Sequence, residues 1–328
     1  MNRTASPGSS TLRPLLAAAL LAALAGCGRG GGKPADTARR IPLAAPVSRA
    51  ASAAFDEGAW LWVVDGGVLT ALDTARGAPT ARIPLGAAGP YRIAGIDTTA
   101  VYLRSGTRIV SVGRRDGRVR ARRTGVGEGG FAPDPRGGDA YVVIAHGGVL
   151  GVSAGSLRPR WSWPERGPAG TAVGVSPLGD RVYLALTGAA DGDRILTRDW
   201  QTGRILSDDE APGRVRTLRV GGDGTVYALV GEGWGRSLAA LRPGPEGLKE
   251  AWSRPLRNLG MGDSVRVAVS RVGSRLAVVS AGDGAARLLD GRTGEVLRTA
   301  EGVADAAFAP DGSLYLLMPR EIHVVREP

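Results

Sequence analysis

The chain has 328 residues, 43% of them hydrophobic, with 51 glycines and a formal net charge of +11. This apolar content is sufficient for a packed core and excludes a wholly disordered chain. The basic residues are almost all arginines and lie scattered along the sequence with few aromatic residues among them. A nucleic-acid groove needs a basic stripe with stacking rings, so this pattern argues against nucleic-acid binding.

The first 27 residues have the pattern of an export signal. Arg3 and Arg13 precede an apolar run at residues 15–25. As a helix this run would span about 16 Å at ~1.5 Å per residue, roughly half of a bilayer core, so it predicts a signal h-region and not a permanent membrane span. The run ends in Leu-Ala-Gly-Cys at residues 24–27, which resembles the lipobox of bacterial lipoproteins.

The lipobox resemblance implies removal of residues 1–26, attachment of diacylglycerol to the sulfur of Cys27 and acylation of the new amino terminus. Several acyl chains hold a protein on a membrane durably. Residues 27–38 are rich in glycine and predict a flexible tether behind the anchor. We therefore expect an exported protein of the bacterial cell envelope, in the outer membrane if there is one, because Gly28 and not an aspartate follows the cysteine. The alternative is an ordinary secretory peptide whose cleavage region contains a cysteine.

From residue 39 to the end of the chain, a turn followed by a strand-like run recurs seven times. Clear copies are SPLGDRVYLAL from Ser176 and APDGSLYLLM from Ala309. The last small residue of each turn recurs at intervals of 38 to 49 residues. These positions are Gly58, Thr99, Gly137, Gly179, Gly224, Gly273 and Gly312.

Each repeat contains a leading segment, the strand after the turn and two further strand-like segments. Four short strands per unit of about 40 residues are typical of a β-propeller. The turns contain Asp, Gly, Pro and Ser, which supply the backbone angles that hairpins need. The segments SPLGDRVYLAL and LDGRTGEVL also resemble the bacterial propeller repeats named after a Tyr-Val-Thr-Asn motif and, more loosely, those of quinoproteins. This resemblance implies a fold but little about activity, because propellers have many unrelated functions.

The two ends of the repeat region complement each other. The seventh unit begins at Val303 and stops after its third strand, EIHVVREP, while RRIPLAAP at residues 39–46 resembles ARIPL, the fourth strand of the first unit. We therefore predict an all-β fold over residues 39–328. It is a seven-bladed β-propeller with four antiparallel strands per blade, in which the N-terminal strand closes the last blade and removes an open sheet edge.

The titratable residues do not form a recognisable catalytic or metal-binding motif. Asp311, Asp223 and Asp116 each precede glycine in a predicted hairpin, where aspartate is a corner residue. The two histidines, His146 and His323, lack a His or Cys partner at the spacing of a transition-metal site, so we expect no metal and no cofactor. Seven-bladed lactonases and antibiotic lyases use His, Glu or Arg at the ring mouth, which makes His146 the candidate general base.

Loops that join neighbouring blades, and those between second and third strands, share one mouth of a propeller, and we predict this mouth as the binding face. Trp234 is flanked by glycines in GEGWGR, and an exposed tryptophan is a common contact residue for a protein or a sugar. A solvated loop without a binding function is the alternative. The candidate residues of this face are Glu128, Asp208, Asp209, Arg214, Trp234, Asn258 and Asp263.

Two functions are consistent with these patterns. The first is a lipid-anchored, monomeric and non-catalytic platform that binds an envelope protein or a saccharide. The alternative is a small-molecule hydrolase or lyase of the lactonase kind, which rests on the fold and on His146. Because reactive residues are few, we expect the binding role.

Replacement of Cys27 by serine tests the anchor. The Cys27→Ser variant is expected to incorporate no labelled palmitate and to move from the membrane fraction to the soluble fraction, because serine has no sulfur to carry the lipid. Metabolic labelling with an alkyne palmitate, followed by cell fractionation, measures both effects. Labelling of the serine variant at the wild-type level would contradict the lipobox interpretation.

Overall fold

The computed structural model describes residues 39–326 except 59, 87–88, 136, 145–147, 165–168, 190–191, 232–234, 257–264 and 272–273. In this part of the chain, 28 β-strands form seven blades of four antiparallel strands. The first strands of neighbouring blades contact each other around the complete ring. The predicted seven-bladed β-propeller is therefore confirmed.

In each blade the strands run in order from the ring axis to the rim. The inner strands are β2 (Ser52–Phe55), β6 (Arg92–Ile96), β10 (Val126–Pro133), β14 (Ala169–Val175), β18 (Val215–Val220), β22 (Val265–Val269) and β26 (Asp305–Phe308). The second strands are β3 (Trp60–Asp65), β7 (Ala100–Ser105), β11 (Asp139–Ile144), β15 (Arg181–Ala189), β19 (Val226–Val230), β23 (Arg275–Ser280) and β27 (Leu314–Leu317). The third strands are β4 (Val68–Asp73), β8 (Arg108–Gly113), β12 (Gly148–Ser153), β16 (Gly192–Asp199), β20 (Ser237–Gly244), β24 (Ala285–Asp290) and β28 (Glu321–Val325). The outer strands are β5 (Ala78–Pro84), β9 (Val119–Arg123), β13 (Pro159–Pro164), β17 (Ile205–Glu210), β21 (Gly247–Pro255), β25 (Val296–Glu301) and, in blade 7, β1 (Arg39–Pro42).

The ring is closed by the N-terminal strand, as predicted. β1 pairs antiparallel with β28, in a register that places Arg39 opposite Val324 and Pro42 opposite Glu321. Two further backbone hydrogen bonds extend the pairing beyond β1, the first from Leu43 N–H to the carbonyl of Arg320 at 2.9 Å. Blade 7 thus contains both ends of the folded chain, and the edge of β28 is covered.

The hydrophobic core is distributed over the interfaces between blades. Each of seven apolar clusters joins two neighbouring blades. In six of the seven blades, the second strand has a buried aromatic side chain at the same repeat position. In blade 6 this position is occupied by Ala277. These aromatic residues are Trp62, Tyr102, Tyr141, Tyr183, Tyr227 and Tyr315. Because large rings bury the most apolar area per residue, they supply much of the adhesion between blades.

Polar contacts join the second strand of one blade to the turn between the third and outer strands of the next. The Tyr102 hydroxyl of blade 2 donates to Asp97 Oδ2 at 2.5 Å and accepts the Gly155 N–H of blade 3 at 2.8 Å. The Tyr227 hydroxyl of blade 5 donates to the carbonyl of Gly291 in blade 6 at 3.3 Å. The aromatic side chains therefore fix the position of the neighbouring blade as well as packing against it.

Blades 1 and 2 are joined by an ion pair whose carboxylate, Asp56, is buried. Arg114 Nη2 lies 2.6 Å from Asp56 Oδ2, which also accepts the Trp62 indole N–H at 3.1 Å. Arg114 Nη1 donates to the backbone carbonyl of Asp97 at 2.8 Å. Removing one partner of such a pair leaves a buried charge uncompensated, so this contact is part of the framework.

Glycines in the turns between third and outer strands allow neighbouring blades to approach. Four of these glycines have φ between +62° and +71°, a conformation that side chains disfavour. In blade 3 the turn has Leu157 at φ +54°, and this side chain joins the apolar cluster that includes Ala121 of the preceding outer strand. The four glycines and the side chains that cover them from the preceding blade are Gly77 with Ile41, Gly117 with Ile83, Gly203 with Trp163 and Gly294 with Trp252.

A pair of glycine substitutions tests this packing. In Gly203→Ala the new Cβ would lie 2.2 Å from Nε1 of Trp163, whereas in Gly312→Ala, at φ +85°, no atom lies within 4 Å. In both variants the left-handed backbone is expected to lower the free energy of unfolding by about 1–2 kcal/mol. Gly203→Ala is expected to lose roughly 1–3 kcal/mol more, because the indole must move out of its packed position. Guanidinium unfolding measures both losses, and equal losses would show that the contact between blades contributes nothing.

A second test uses pH. Burial, and to a smaller extent the charge of Asp223, raise the pKa of Tyr227 from its ordinary value near 10 to about 12. Since the raised pKa favours the neutral phenol in the folded protein, this contribution to stability is complete below pH 10 and is lost as the pH rises towards about 12. Tyr227→Phe is expected to lose about 1 kcal/mol at neutral pH with the hydrogen bond and to show a shallower decline above pH 10. Urea unfolding across this pH range gives both curves, and parallel curves would refute the assignment.

Candidate functional site

A cavity of about 380 Å³ opens between blades 1 and 2. It is lined by the hairpin between β3 and β4 and by the two connections between blades, from β1 to β2 and from β5 to β6. The cavity therefore lies at the mouth of the ring that has the hairpins between second and third strands. Its walls are therefore built from loops held by rigid strands, an arrangement common in binding sites. The residues that matter for its chemistry are Ser48, Asp65, Gly66, Gly67, Gly86 and Tyr91.

The hairpin between β3 and β4 exposes its backbone to the cavity. Gly66 and Gly67 have φ of +52° and +83°, the left-handed pair that a two-residue hairpin turn requires. The carbonyl of Gly67 accepts the N–H of Leu85 at 2.8 Å, and a Cβ on Gly67 would lie 3.2 Å from the carbonyl oxygen of Gly86. Glycine is thus needed for both the turn and the close approach of the two loops.

Asp65 is the charged residue in the described lining, and Ser48 holds its carboxylate. The N–H of Ser48 donates to Oδ2 at 2.8 Å, and its hydroxyl donates to Oδ1. Ser48 belongs to the connection between β1 and β2, so ring closure brings together two residues that are 17 positions apart. Each carboxylate oxygen can accept more than one hydrogen bond, so the anchored group keeps capacity for a ligand.

Tyr91 forms another part of the wall. Its side chain is 2% exposed and packs in the apolar cluster between blades 1 and 2. Its hydroxyl has no hydrogen-bond partner among the described residues. A buried hydroxyl without a partner costs about 1–3 kcal/mol, which the apolar packing of the ring between blades 1 and 2 must offset.

These groups suit a small, neutral, hydroxyl-bearing ligand. The volume lies within the ~300–1,000 Å³ typical of small-molecule sites. Asp65 accepts hydrogen bonds and carries a negative charge, which disfavours an anionic ligand. The described lining contains no histidine, lysine or cysteine, so it offers no paired acid and base for catalysis.

The structure places the described candidates from the sequence away from this cavity. Asp208 and Asp209 lie on β17, the outer strand of blade 4, and not in a loop. Arg194 Nε donates to Asp208 at 2.6 Å, and the Ser207 hydroxyl donates to Asp209 at 2.7 Å. Arg214 precedes β18, and its carbonyl accepts the N–H of Gly231 at 2.9 Å. These three residues belong to blades 4 and 5, whereas the cavity belongs to blades 1 and 2.

The prediction that Glu128 lies in a loop at the mouth of the ring is wrong. Strand β10 begins at Val126 and pairs with β11, with a register shift before Phe131, so Glu128 belongs to an inner strand. The pairing of β10 with β11 and β14 extends this strand into the glycine-rich segment. The side chain of Glu128 lies outside the described residues, as do the other candidates, namely Cys27, His146, Trp234, Asn258 and Asp263.

The repeated aspartates are turn residues, as predicted. Asp311 Oδ1 accepts the N–H of Ser313 at 2.9 Å, and Asp223 Oδ1 accepts the N–H of Thr225 at 3.0 Å. In the same way Asp116 accepts an N–H two residues further on at 3.1 Å, and this hydrogen bond lowers the pKa of Asp116. Among the described residues, no three His, Cys, Asp or Glu side chains are grouped to hold a metal ion.

Sequence reasoning missed Ser48, Asp65 and Tyr91. In the sequence VVDGGVL, Asp65 has the same pattern as the hairpin-corner aspartates. Asp65 differs from the hairpin-corner aspartates in its contact with Ser48, and this contact depends on how blade 7 closes against blade 1. The tyrosine gives no signal either, because buried tyrosines recur throughout the repeats.

Comparisons with known proteins support the fold. No family model and no curated protein matches the sequence. Among solved structures, hydrazine synthase of Kuenenia stuttgartiensis is similar with a TM-score of 0.64 and 16% identity, over 92% of this chain and 99% of that one. The β-propeller domain of Cps50 (Swd1) from Myceliophteria thermophila has a TM-score of 0.66 and 13% identity, over 87% and 99%. At such identities the likeness shows the propeller fold alone.

The described residues are mainly β-strands and the turns that join them. No helix in the described residues is long and apolar enough to cross a membrane.

Proposed function

We propose that this chain is a non-catalytic binding platform of the bacterial cell envelope, anchored through Cys27, which holds a saccharide in the cavity between blades 1 and 2. The observation that carries the proposal is the Asp65 carboxylate, fixed by two hydrogen bonds from Ser48 at the wall of that cavity. A lipid anchor and a tether of residues 27–38 would keep the ring close to envelope saccharides.

The chemistry of the cavity supports a sugar over a protein epitope. Sugar hydroxyls are strong donors to carboxylates, and exposed backbone groups at Gly66 and Gly67 can bond further hydroxyls. A concave site of this volume encloses a mono- or disaccharide, whereas a protein partner usually buries a broader and flatter surface.

The described titratable groups favour binding over catalysis. His323, the described histidine, lies on β28 with its Nε2 2.6 Å from Glu321 Oε1, and this hydrogen bond lowers the pKa of Glu321. The pair lies on the third strand of blade 7 and not in the cavity. Asp223 and Asp311 are held in turns, and Asp56 is held in an ion pair. A hydrolase or lyase would depend on His146, which lies outside the described residues.

Titration of neutral disaccharides tests the proposal. The detergent-solubilised protein is expected to bind at least one of maltose, cellobiose and chitobiose in isothermal titration calorimetry. Asp65→Asn is expected to weaken that binding at least tenfold, since a hydrogen bond to a charged group contributes about 1.5–3 kcal/mol. The asparagine retains an acceptor for Ser48, so the loop is expected to keep its conformation, which thermal unfolding can check.

Asp208→Asn is the matched control, because it makes the same chemical change on the other side of the ring. It is expected to leave saccharide affinity unchanged. Loss of affinity in Asp208→Asn but not in Asp65→Asn would contradict the proposal and show that the saccharide binds near blades 4 and 5. No heat of binding with any of the three sugars would count against the saccharide assignment.

A further inference from the structure

The exposed apolar side chains of the ring lie at one mouth. In the described part of the chain, six large apolar side chains are exposed, and each lies in, or one or two residues after, a turn that follows a first or a third strand. Because the strands of a blade alternate in direction, all of these turns lie at the mouth opposite the cavity, which we call the far mouth. The six residues are Trp60, Leu178, Ile205, Leu206, Val296 and Leu297.

Leu178 is presented by a well-defined turn and is 76% exposed. The N–H of Gly179 donates to the carbonyl of Ser176 at 2.7 Å, and the N–H of Leu178 lies 3.3 Å from Ser176 Oγ. The N–H of Trp200 donates to the carbonyl of Asp180 at 3.2 Å, which joins this turn to the next turn of blade 4. The leucine side chain is therefore held away from the core by the backbone around it.

Leu206 and Leu297 occupy the same structural position in blades 4 and 6. In blades 1 to 6, the pairing between the third and outer strands skips one residue near the start of the outer strand, which is a β-bulge. In blades 4 and 6 the skipped residue is leucine and follows the exposed Ile205 or Val296. The bulges of blades 1, 2 and 3 have Thr80, Arg120 and Arg160. The fold accepts polar residues at this position and does not require the exposed leucines.

The closing strand β1 begins at the far mouth. Arg39 is opposite Val324, one residue before the end of β28, and third strands run towards the far mouth. The predicted tether of residues 27–38 therefore joins the ring at this mouth. A glycine-rich chain of these 12 residues has an average end-to-end distance of ~20 Å. An anchor at Cys27 would thus hold a bilayer close to the far mouth.

The distribution of the six residues suits a flat lipid surface. They belong to blades 1, 4 and 6, so they are separated around the mouth, whereas a protein partner usually contacts one compact patch with an apolar centre. A bilayer can contact all of them at once, and each apolar side chain that enters its interface is stabilised by burial. Tryptophan, here Trp60, is especially favourable at the level of the headgroups.

We propose that the far mouth docks on the lipid bilayer that holds the anchor, with Leu178 and the two bulge leucines entering the headgroup region. The proposal rests on the lipid anchor of the proposed function and not on its saccharide site. Exposed Arg204 and Arg292 in these turns are matched by exposed Asp180 and Glu295, so apolar contact and not net charge drives the docking. In this orientation the saccharide cavity opens on the side away from the membrane.

Fluorescence quenching in proteoliposomes tests the docking. The lipidated full chain is reconstituted in phosphatidylcholine vesicles that contain nitroxide-labelled lipid. Cys27 is the only cysteine and its sulfur carries the proposed lipid, so one introduced cysteine can be labelled alone with an NBD fluorophore. Leu178→Cys places the label at the far mouth, and Thr107→Cys places it in the exposed hairpin between β7 and β8 at the cavity mouth. The label at position 178 is expected to be quenched at least about twofold more than that at position 107, at low and at high salt.

A double variant connects the quenching to the apolar side chains. With the label at position 178, Leu206→Ser/Leu297→Ser is expected to reduce the quenching by about half or more, because both side chains leave the lipid. Thr80→Ser, at the equivalent bulge of blade 1, is expected to leave it unchanged. Thermal unfolding checks that the ring stays intact, and little change is expected because both leucines are exposed.

Equal quenching of the two labels, stronger quenching at position 107, or unchanged quenching in the double variant would each overturn the docking. A chain that carries no labelled palmitate and stays out of the vesicles would overturn the anchor and the docking together. Failure of the saccharide titrations concerns the other mouth and is distinguishable from each of these results.

Discussion

The pairing of β1 with β28 is the contact on which the whole ring depends. Six blades are built from consecutive strands, but blade 7 takes its outer strand from the start of the folded chain. At the axis, Arg266 and Asp305 hold the start of β2 against blades 6 and 7. The same junction directs the connection from β1 to β2, so it also positions Ser48 against Asp65. The candidate cavity therefore depends on ring closure, because the connection that closes the ring also supplies Ser48.

Between blades, the framework repeats one arrangement with local variations. A buried aromatic residue of one second strand contacts the turn of the next blade, and a glycine in that turn admits a large side chain from the preceding outer strand. Blade 3 has Leu157 where the turns of blades 1, 2, 4 and 6 have glycine, and the outer strand before it has the smaller Ala121. The residues that fill this part of the interface therefore differ from blade to blade.

Aspartates have three distinct roles in this chain, and their surroundings decide which one each has. Asp311 and Asp223 accept backbone N–H groups two residues further on and are turn residues. Asp305 neutralises an arginine at the axis. Asp65 is bound by a serine from a distant loop and borders a cavity. The role of each aspartate is therefore decided by the groups that its own and the neighbouring blades place around it.

The sequence by itself determined the architecture. Turn residues, small inner strands and the period of about 40 residues are local features, and hairpins follow local rules. The likeness of residues 39–46 to an outer strand was enough to predict ring closure. The candidate site was not predictable in this way, because Ser48, Asp65 and Tyr91 come from separate connections and each has a common structural counterpart elsewhere in the repeats. Likewise, only the tertiary structure decided that Asp305 neutralises Arg266, because the partner of a charged side chain depends on which strands meet across the ring. Strand order is encoded in short segments, whereas burial and pairing of polar groups arise from contacts between residues far apart in the chain.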